Sequence, residues 1–310
     1  MNAPSTSPLG LLRCPTFWVA IAFLILCGWV YWPTLVLIVR TWWLEPEYSH
    51  GYVVLLFSLY LLYRNRERLR GSQPTVSWWG VVVILLAVSI YLAGAYLGID
   101  YLNAVSLIPC CLGLALLLGG WPALRWSASA SLFLLFLIPL PFRVAHALSG
   151  PLRGIATQTS GYALQTLGFP VLIEGYTLQL GDYPIAIAEA CSGLSMLYVF
   201  IALAAAVALI SKRPIFDRVL ILLGAFPIAI IANTLRIILT AVAFTLAGRE
   251  MGEFIFHDLA GWLMMPIALG LLYLELKLID FVLIPVTTSE NDDANIPHLR
   301  PLPVERGLPS

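Results

Sequence analysis

The chain has 310 residues, 60% of them hydrophobic and 11% charged, and its 17 basic and 17 acidic residues cancel. Soluble domains run at about 45–50% apolar and about 25% charged, so a soluble protein is excluded, as are disorder, a collagen-like fibre and a disulfide scaffold for the chain as a whole. The balanced charge gives no sign of a nucleic-acid binder. What remains is an all-α, polytopic membrane protein.

A spanning helix needs about 20 mostly apolar residues. Eight runs qualify or nearly qualify: Phe17–Val39, Tyr52–Tyr63, Trp78–Leu97, Leu102–Leu118, Ala128–Phe142, Leu194–Ser211, Val219–Leu246 and Leu259–Leu283. The second and fifth are short and need flanking residues. The first is too long for the apolar region of a signal peptide, and no small-residue cleavage site follows it, so it reads as a retained helix. Arg64, Arg66, Arg68 and Arg70 crowd one loop, and Lys212, Arg213 and Arg218 another. Eight spans put both loops on one side, which the positive-inside rule makes cytoplasmic. Twelve Lys and Arg residues then lie inside, four outside and Arg236 within a span. Both termini are expected in the cytoplasm.

Arg143–Gly168 is apolar but carries Arg143, His146, Arg153, Gln158 and Gln165, and reads as an amphipathic helix on the outer surface. A ninth span here would turn the basic Lys212–Arg218 loop outward, against the rule. Val171–Ala190 alternates apolar and polar residues, with turn signals at Glu174-Gly175 and Gly181-Asp182. It predicts a small outer β-hairpin or meander that runs into Cys191. Residues 1–284 form the expected membrane domain. The Pro-, Asn- and Asp-rich tail 285–310 reads as disordered and cytoplasmic. No internal repeat is visible.

Polar groups at membrane depth are costly and mark function by default. Arg236 lies toward the outer end of the seventh span, and Asn233, three residues earlier, shares its helix face. A snorkelling or helix-pairing arginine is the structural alternative. His257, followed by Asp258, stands at the outer mouth of the eighth span, where histidines also serve as polar anchors. Cys27, Cys110 and Cys111 lie within spans and are most simply small apolar residues, while Cys14 lies near the cytoplasmic end of the first. Cys191 is different, because it opens the sixth span on the outer side. Free N–H groups at a helix start stabilise a thiolate there, although an inert buried thiol is equally open on the residue alone. His50, in the outer Glu45–Gly51 segment, either assists a site or anchors a helix start.

The topology was set by basic loops that do not include Cys191, Arg236 and His257, yet it brings all three to one outer level on consecutive spans. That is the makeup of a nucleophilic site: a thiolate to attack a carbonyl, an imidazole to move protons and a guanidinium to hold the oxyanion. No cofactor is expected. The histidines form no H-E-x-x-H pattern and no Cys/His spacing suits zinc, so no metal is expected.

Several segments, in order, resemble the exosortases and their archaeal relatives the archaeosortases. They are YSHG at Tyr48–Gly51, the basic RNRERLR that follows, IPLPFR at Ile138–Arg143 and FPVLIEGYTLQL. AEACSGLSML at Ala188–Leu197, NTLRI at Asn233–Ile237 and FHDLAGW at Phe256–Trp262 complete the set. The resemblance spans roughly residues 40 to 265. It implies a multi-span cysteine transpeptidase or protease of bacterial inner membranes, with the family's Cys, Arg and His on Cys191, Arg236 and His257. It further implies secreted substrates with a C-terminal PEP-type motif, a transmembrane helix and a basic end. These would be cleaved through a Cys thioester acyl-enzyme and passed to a lipid or other acceptor, often in connection with exopolysaccharide production. Three other readings stay open: a polysaccharide or lipid transporter, a noncatalytic envelope scaffold, and an intramembrane protease that only hydrolyses.

Overall fold

A computed structural model describes residues 15–45, 48–69, 75–180, 183–187, 193–254 and 260–282. The tail 285–310 and the candidates Cys191 and His257 lie outside these residues. The described chain is helical apart from one small sheet. Its helices are α1 (Pro15–Val30), α2 (Trp32–Leu44), α3 (Gly51–Arg64), α4 (Trp79–Leu97), α5 (Asp100–Val105) and α6 (Leu107–Phe133). Then come α7 (Phe142–Thr166), strands β1 (Val171–Glu174), β2 (Thr177–Leu180) and β3 (Tyr183–Ala186), and helices α8 (Leu194–Ile210), α9 (Ile215–Phe254) and α10 (Ala260–Val282).

The expected spans correspond to these helices with one correction. The first run, Phe17–Val39, is not one helix: α1 and α2 meet at a bend of 63°. Pro33, in the first turn of α2, has no N–H to continue the ladder and disfavours helical geometry in the residue before it. The seventh run ends as expected: the apolar stretch is Ile215–Leu246, and the range of α9 extends to Phe254 only across a break at Gly248, with φ +81°. The fourth and fifth runs follow each other closely. Here α5, α6 and a short 3-10 turn at Leu134–Leu137 form one apolar stretch, 100–137.

That stretch folds back on itself. Gly120 has φ +67° and ψ −160°, outside helical space. Before it, Leu117 lies against Gly80 and Gly113 against Ile84 of α4. After it, Trp126 Nε1 donates to the Leu62 carbonyl (2.8 Å) and Asn65 Nδ2 to Ser129 Oγ (2.9 Å). The decisive contacts are at the far ends. α2 has 13 residues, about 20 Å of helix. It packs on α5 and also hydrogen-bonds Leu137 through Trp42 Nε1 (3.1 Å). In a straight rod those two points would stand about 50 Å apart. The chain therefore reverses at Gly120, between the two runs the sequence separates.

By length and apolar composition alone, three helical runs among the described residues are able to cross a membrane, or four if the bent α1–α2 pair counts as one span. Length does not return eight. α3 and α8 have 14 and 17 residues, about 21 and 25 Å, so both fall short of the full hydrocarbon thickness without their flanks.

Small residues let the helices approach closely, as suits a bundle with no water to drive association. On α9, Ala225, Ala229 and Ala232 are buried on one face, packed with Ala204 of α8 and Ala268 of α10. The helix ends on the side of the basic loops are tied by polar bonds. Arg64 Nη2 donates to the Ile210 carbonyl (2.7 Å), and Arg213 pairs with Asp280 (2.7 Å).

The predicted meander is present as a three-stranded antiparallel sheet in the order β1-β2-β3. Val171, Leu178, Leu180, Ile185 and Ile187 face inward and share one apolar cluster with Ala156 and Leu164 of α7 and Ile237 and Ala241 of α9. α7 is the helix expected at Arg143–Gly168. It buries Ser149, Ala156, Thr157, Ser160, Gly161 and Leu164 and exposes Arg143, His146, Gln158 and Gln165. The second half of α9 thus serves as the floor of a layer made from α7 and the sheet.

Candidate active site

The site region lies where α8 begins against the middle of α9. α8 starts at Leu194, with Gly193 as its N-cap at φ +85°. The expected sixth span, Leu194–Ser211, begins at the same residue, and Cys191, two residues ahead of Gly193 in sequence, lies outside the described residues. Gly193 is pressed onto Asn233 of α9: a Cβ added there would stand 2.9 Å from Asn233 Nδ2 and 3.0 Å from its Cγ. Asn233 is only 2% exposed. Arg236, the next residue on that face, lies half-buried one turn further out. The expected pairing of Asn233 and Arg236 on one face is therefore present, and it is the face that meets the start of α8.

Along the helices, Leu194 lies about 24 Å from the far end of α8 and Asn233 about 27 Å from the start of α9, each distance close to the thickness of a hydrocarbon core.

His50 belongs to the same neighbourhood. It caps the start of α3, and its ring meets Tyr198 of α8 edge-on, centroids 5.5 Å apart. Tyr198 lies five residues past Gly193, about 7 Å along the helix. Its hydroxyl is directed at the carbonyls of Ile138 (2.9 Å) and Leu135 (3.0 Å). The reason is in the IPLP segment. Pro139 and Pro141 have no N–H, so the carbonyls four residues earlier, Leu135 and Leu137, lack their helical donors. Tyr198 serves the first and Trp42 the second. Two motifs that looked unrelated in sequence, YSHG and IPLPFR, are thereby gathered around α8.

Beside the Gly193–Asn233 contact is a shallow open groove of about 30 Å³ between α7, α8 and α9. Leu152, Ile155, Leu197, Phe226 and Ile230 line it, and Asn233 gives it a polar end. Phe226 and Ile155 are exposed, so the groove opens sideways. Neither Tyr198 nor the groove was legible in the sequence: both arise from contacts between distant segments. Gly193 was within sight, as the glycine of ACSG.

The intramembrane cysteines behave as expected of small buried groups, with one addition. Cys27 and Cys110, on α1 and α6, meet at 3.6 Å between their sulfurs and remain thiols. Among the described residues, no three His, Cys, Asp or Glu side chains come together in a way that could hold a metal ion.

The family model of the transmembrane exosortases matches residues 42–274. The chain belongs to that family. The match takes in YSHG, the Gly193–Asn233 contact and all three candidate catalytic positions. No curated protein and no solved structure matches the chain. This exosortase is a membrane protein with an all-α fold, carrying one small sheet.

Gly193 offers a test of the site's packing. Gly193→Ala meets two obstacles, a left-handed backbone costing about 1–2 kcal/mol and a methyl group driven into Asn233. Thermal stability is expected to fall, and pairing it with Asn233→Ala should recover only the steric share. Full recovery in the double variant would mean that the backbone conformation at Gly193 imposes no cost.

Proposed function

We propose that this exosortase is a cysteine transpeptidase of a bacterial inner membrane, working at the periplasmic face, with both termini in the cytoplasm. Its substrates are secreted proteins ending in a PEP-type motif, a transmembrane helix and a basic tail. The observation that carries the reading is the Gly193–Asn233 contact. It holds Gly193, two residues after Cys191 in sequence, against Asn233, three residues before Arg236 on α9, and so supports a site built from these segments.

The chemistry follows from the residue types. The Cys191 thiolate adds to the scissile carbonyl, forming a C–S bond and an oxyanion. Arg236 stabilises that oxyanion, and His257 gives a proton to the departing amine as the C–N bond breaks. The thioester left on Cys191 is then attacked by an acceptor that loses its proton to His257, restoring the thiol. Asn233 steadies the arginine-bearing turn, and His50 supports α8 through Tyr198. Holding the substrate's helix beside the bundle makes the encounter nearly intramolecular. The sideways-opening groove beside Asn233 is consistent with approach from within the membrane.

The product distinguishes transfer from hydrolysis. Mass analysis of the processed protein's new C-terminus should show the mass of an added acceptor. A free carboxylate on all of the product would reduce the enzyme to a protease.

A further inference from the structure

The three-stranded sheet has two edges, and they are not alike. Gln165 of α7 covers the β1 edge, its Nε2 donating to the outward carbonyl of Val171 (2.8 Å), while Ile173 packs on Gly161. At the other edge, β3 pairs among the described residues only with β2, in the register Thr177↔Ala186, Leu178↔Ile185, Gln179↔Pro184. The Ile187 N–H donates to the Tyr176 carbonyl (2.8 Å), which sets the phase of the ladder. Residues 183, 185 and 187 direct their backbone groups toward β2, and Pro184 and Ala186 direct theirs away. Among the described residues nothing hydrogen-bonds to those outward groups.

We infer that this edge receives the extended segment of the polypeptide substrate as a fourth strand. The inference rests on the peptide-cleaving reading above and adds where the peptide lies. Ala186 offers one donor and one acceptor, and Pro184 an acceptor only. Strand addition of this kind takes its affinity from main-chain bonds and so tolerates varied side chains. The location suits the task, since the five residues from Ala186 to Cys191 span at most about 18 Å. A peptide of ordinary strand length on β3 therefore reaches the thiol. The competing explanation of Pro184 is protection of an exposed edge against self-association. A proline that serves only that end would be expected to leave no complete donor–acceptor residue beside it, whereas Ala186 keeps both.

The ladder's phase supplies a selective test. Ala186→Pro deletes the single outward donor and leaves every bond to β2 intact, and Pro184 already shows that this edge accommodates the ring. In membranes containing the full chain, Ala186→Pro should raise KM for a tailed substrate about threefold to tenfold, the worth of one hydrogen bond, at unchanged abundance and thermal stability. Pro184→Ala, which adds a donor, should lower KM or leave it alone. An Ala186→Pro variant with wild-type KM would overturn the pairing while leaving Cys191 chemistry untouched.

A second measurement needs no turnover. A Cys191→Ala, Pro184→Cys protein is oxidised together with a secreted protein of the same genome that carries the C-terminal signal. Single cysteines are placed at successive positions ahead of that protein's transmembrane helix. Strand pairing predicts disulfides at every second position. No disulfides, or a spacing of three to four, would refute it whether or not the substrate is processed.

Discussion

Arg236→Ala should reduce processing about 100-fold to 1,000-fold, the range seen when an oxyanion donor is removed, without depleting the protein from the membrane. Arg236→Lys is the sharper variant. Lysine keeps the charge and snorkels as well as arginine, but it lacks the planar fork that holds two oxygens at once. If the residue orients an oxyanion or a carbonyl, lysine should recover less than about tenfold of the loss. If Arg236 is only a membrane anchor, lysine should restore full activity. The placement favours the first outcome. Arg236 lies half-buried on α9, three residues after the Asn233 that meets Gly193.

Local pattern was legible in the sequence, and long-range contact was not. The meander at 171–186 could be read because alternation and turn residues are local signals, and its register follows from them. The reversal at Gly120 was implied by the Gly-Gly-Trp-Pro break between two apolar runs. The bend at Pro33 had a local cause that a continuous apolar run concealed. The end of the seventh apolar stretch at Leu246 was legible, because hydropathy marks what lipid will accept and the polar Arg249 and Glu250 follow the break at Gly248. For the site, the shared face of Asn233 and Arg236 was legible from helical spacing. The seat of His50 on Tyr198 was not, because a ring contact across 148 residues leaves no periodic trace. It could be anticipated only by asking which side chains reach the carbonyls whose helical donors Pro139 and Pro141 remove, Leu135 keeping the Ile138 N–H (3.2 Å) beside Tyr198.

Loss of the nucleophile should have the largest effect of all. Without a thiol at position 191 there is no acyl-enzyme, and groups that act as a unit fail together. Cys191→Ala should therefore leave no detectable product, and Cys191→Ser only a trace, because a serine hydroxyl has none of the thiol's ready ionisation at neutral pH. A transporter or a scaffold would tolerate both changes. The most direct measurement is a gel assay. A tagged secreted protein with a PEP-type C-terminal tail is expressed with the wild-type chain or with Cys191→Ala, and the level of each chain in the membrane is confirmed by immunoblot. The account predicts a shift to the processed form with wild type alone. Equal processing by both chains would contradict it and remove Cys191 as the nucleophile.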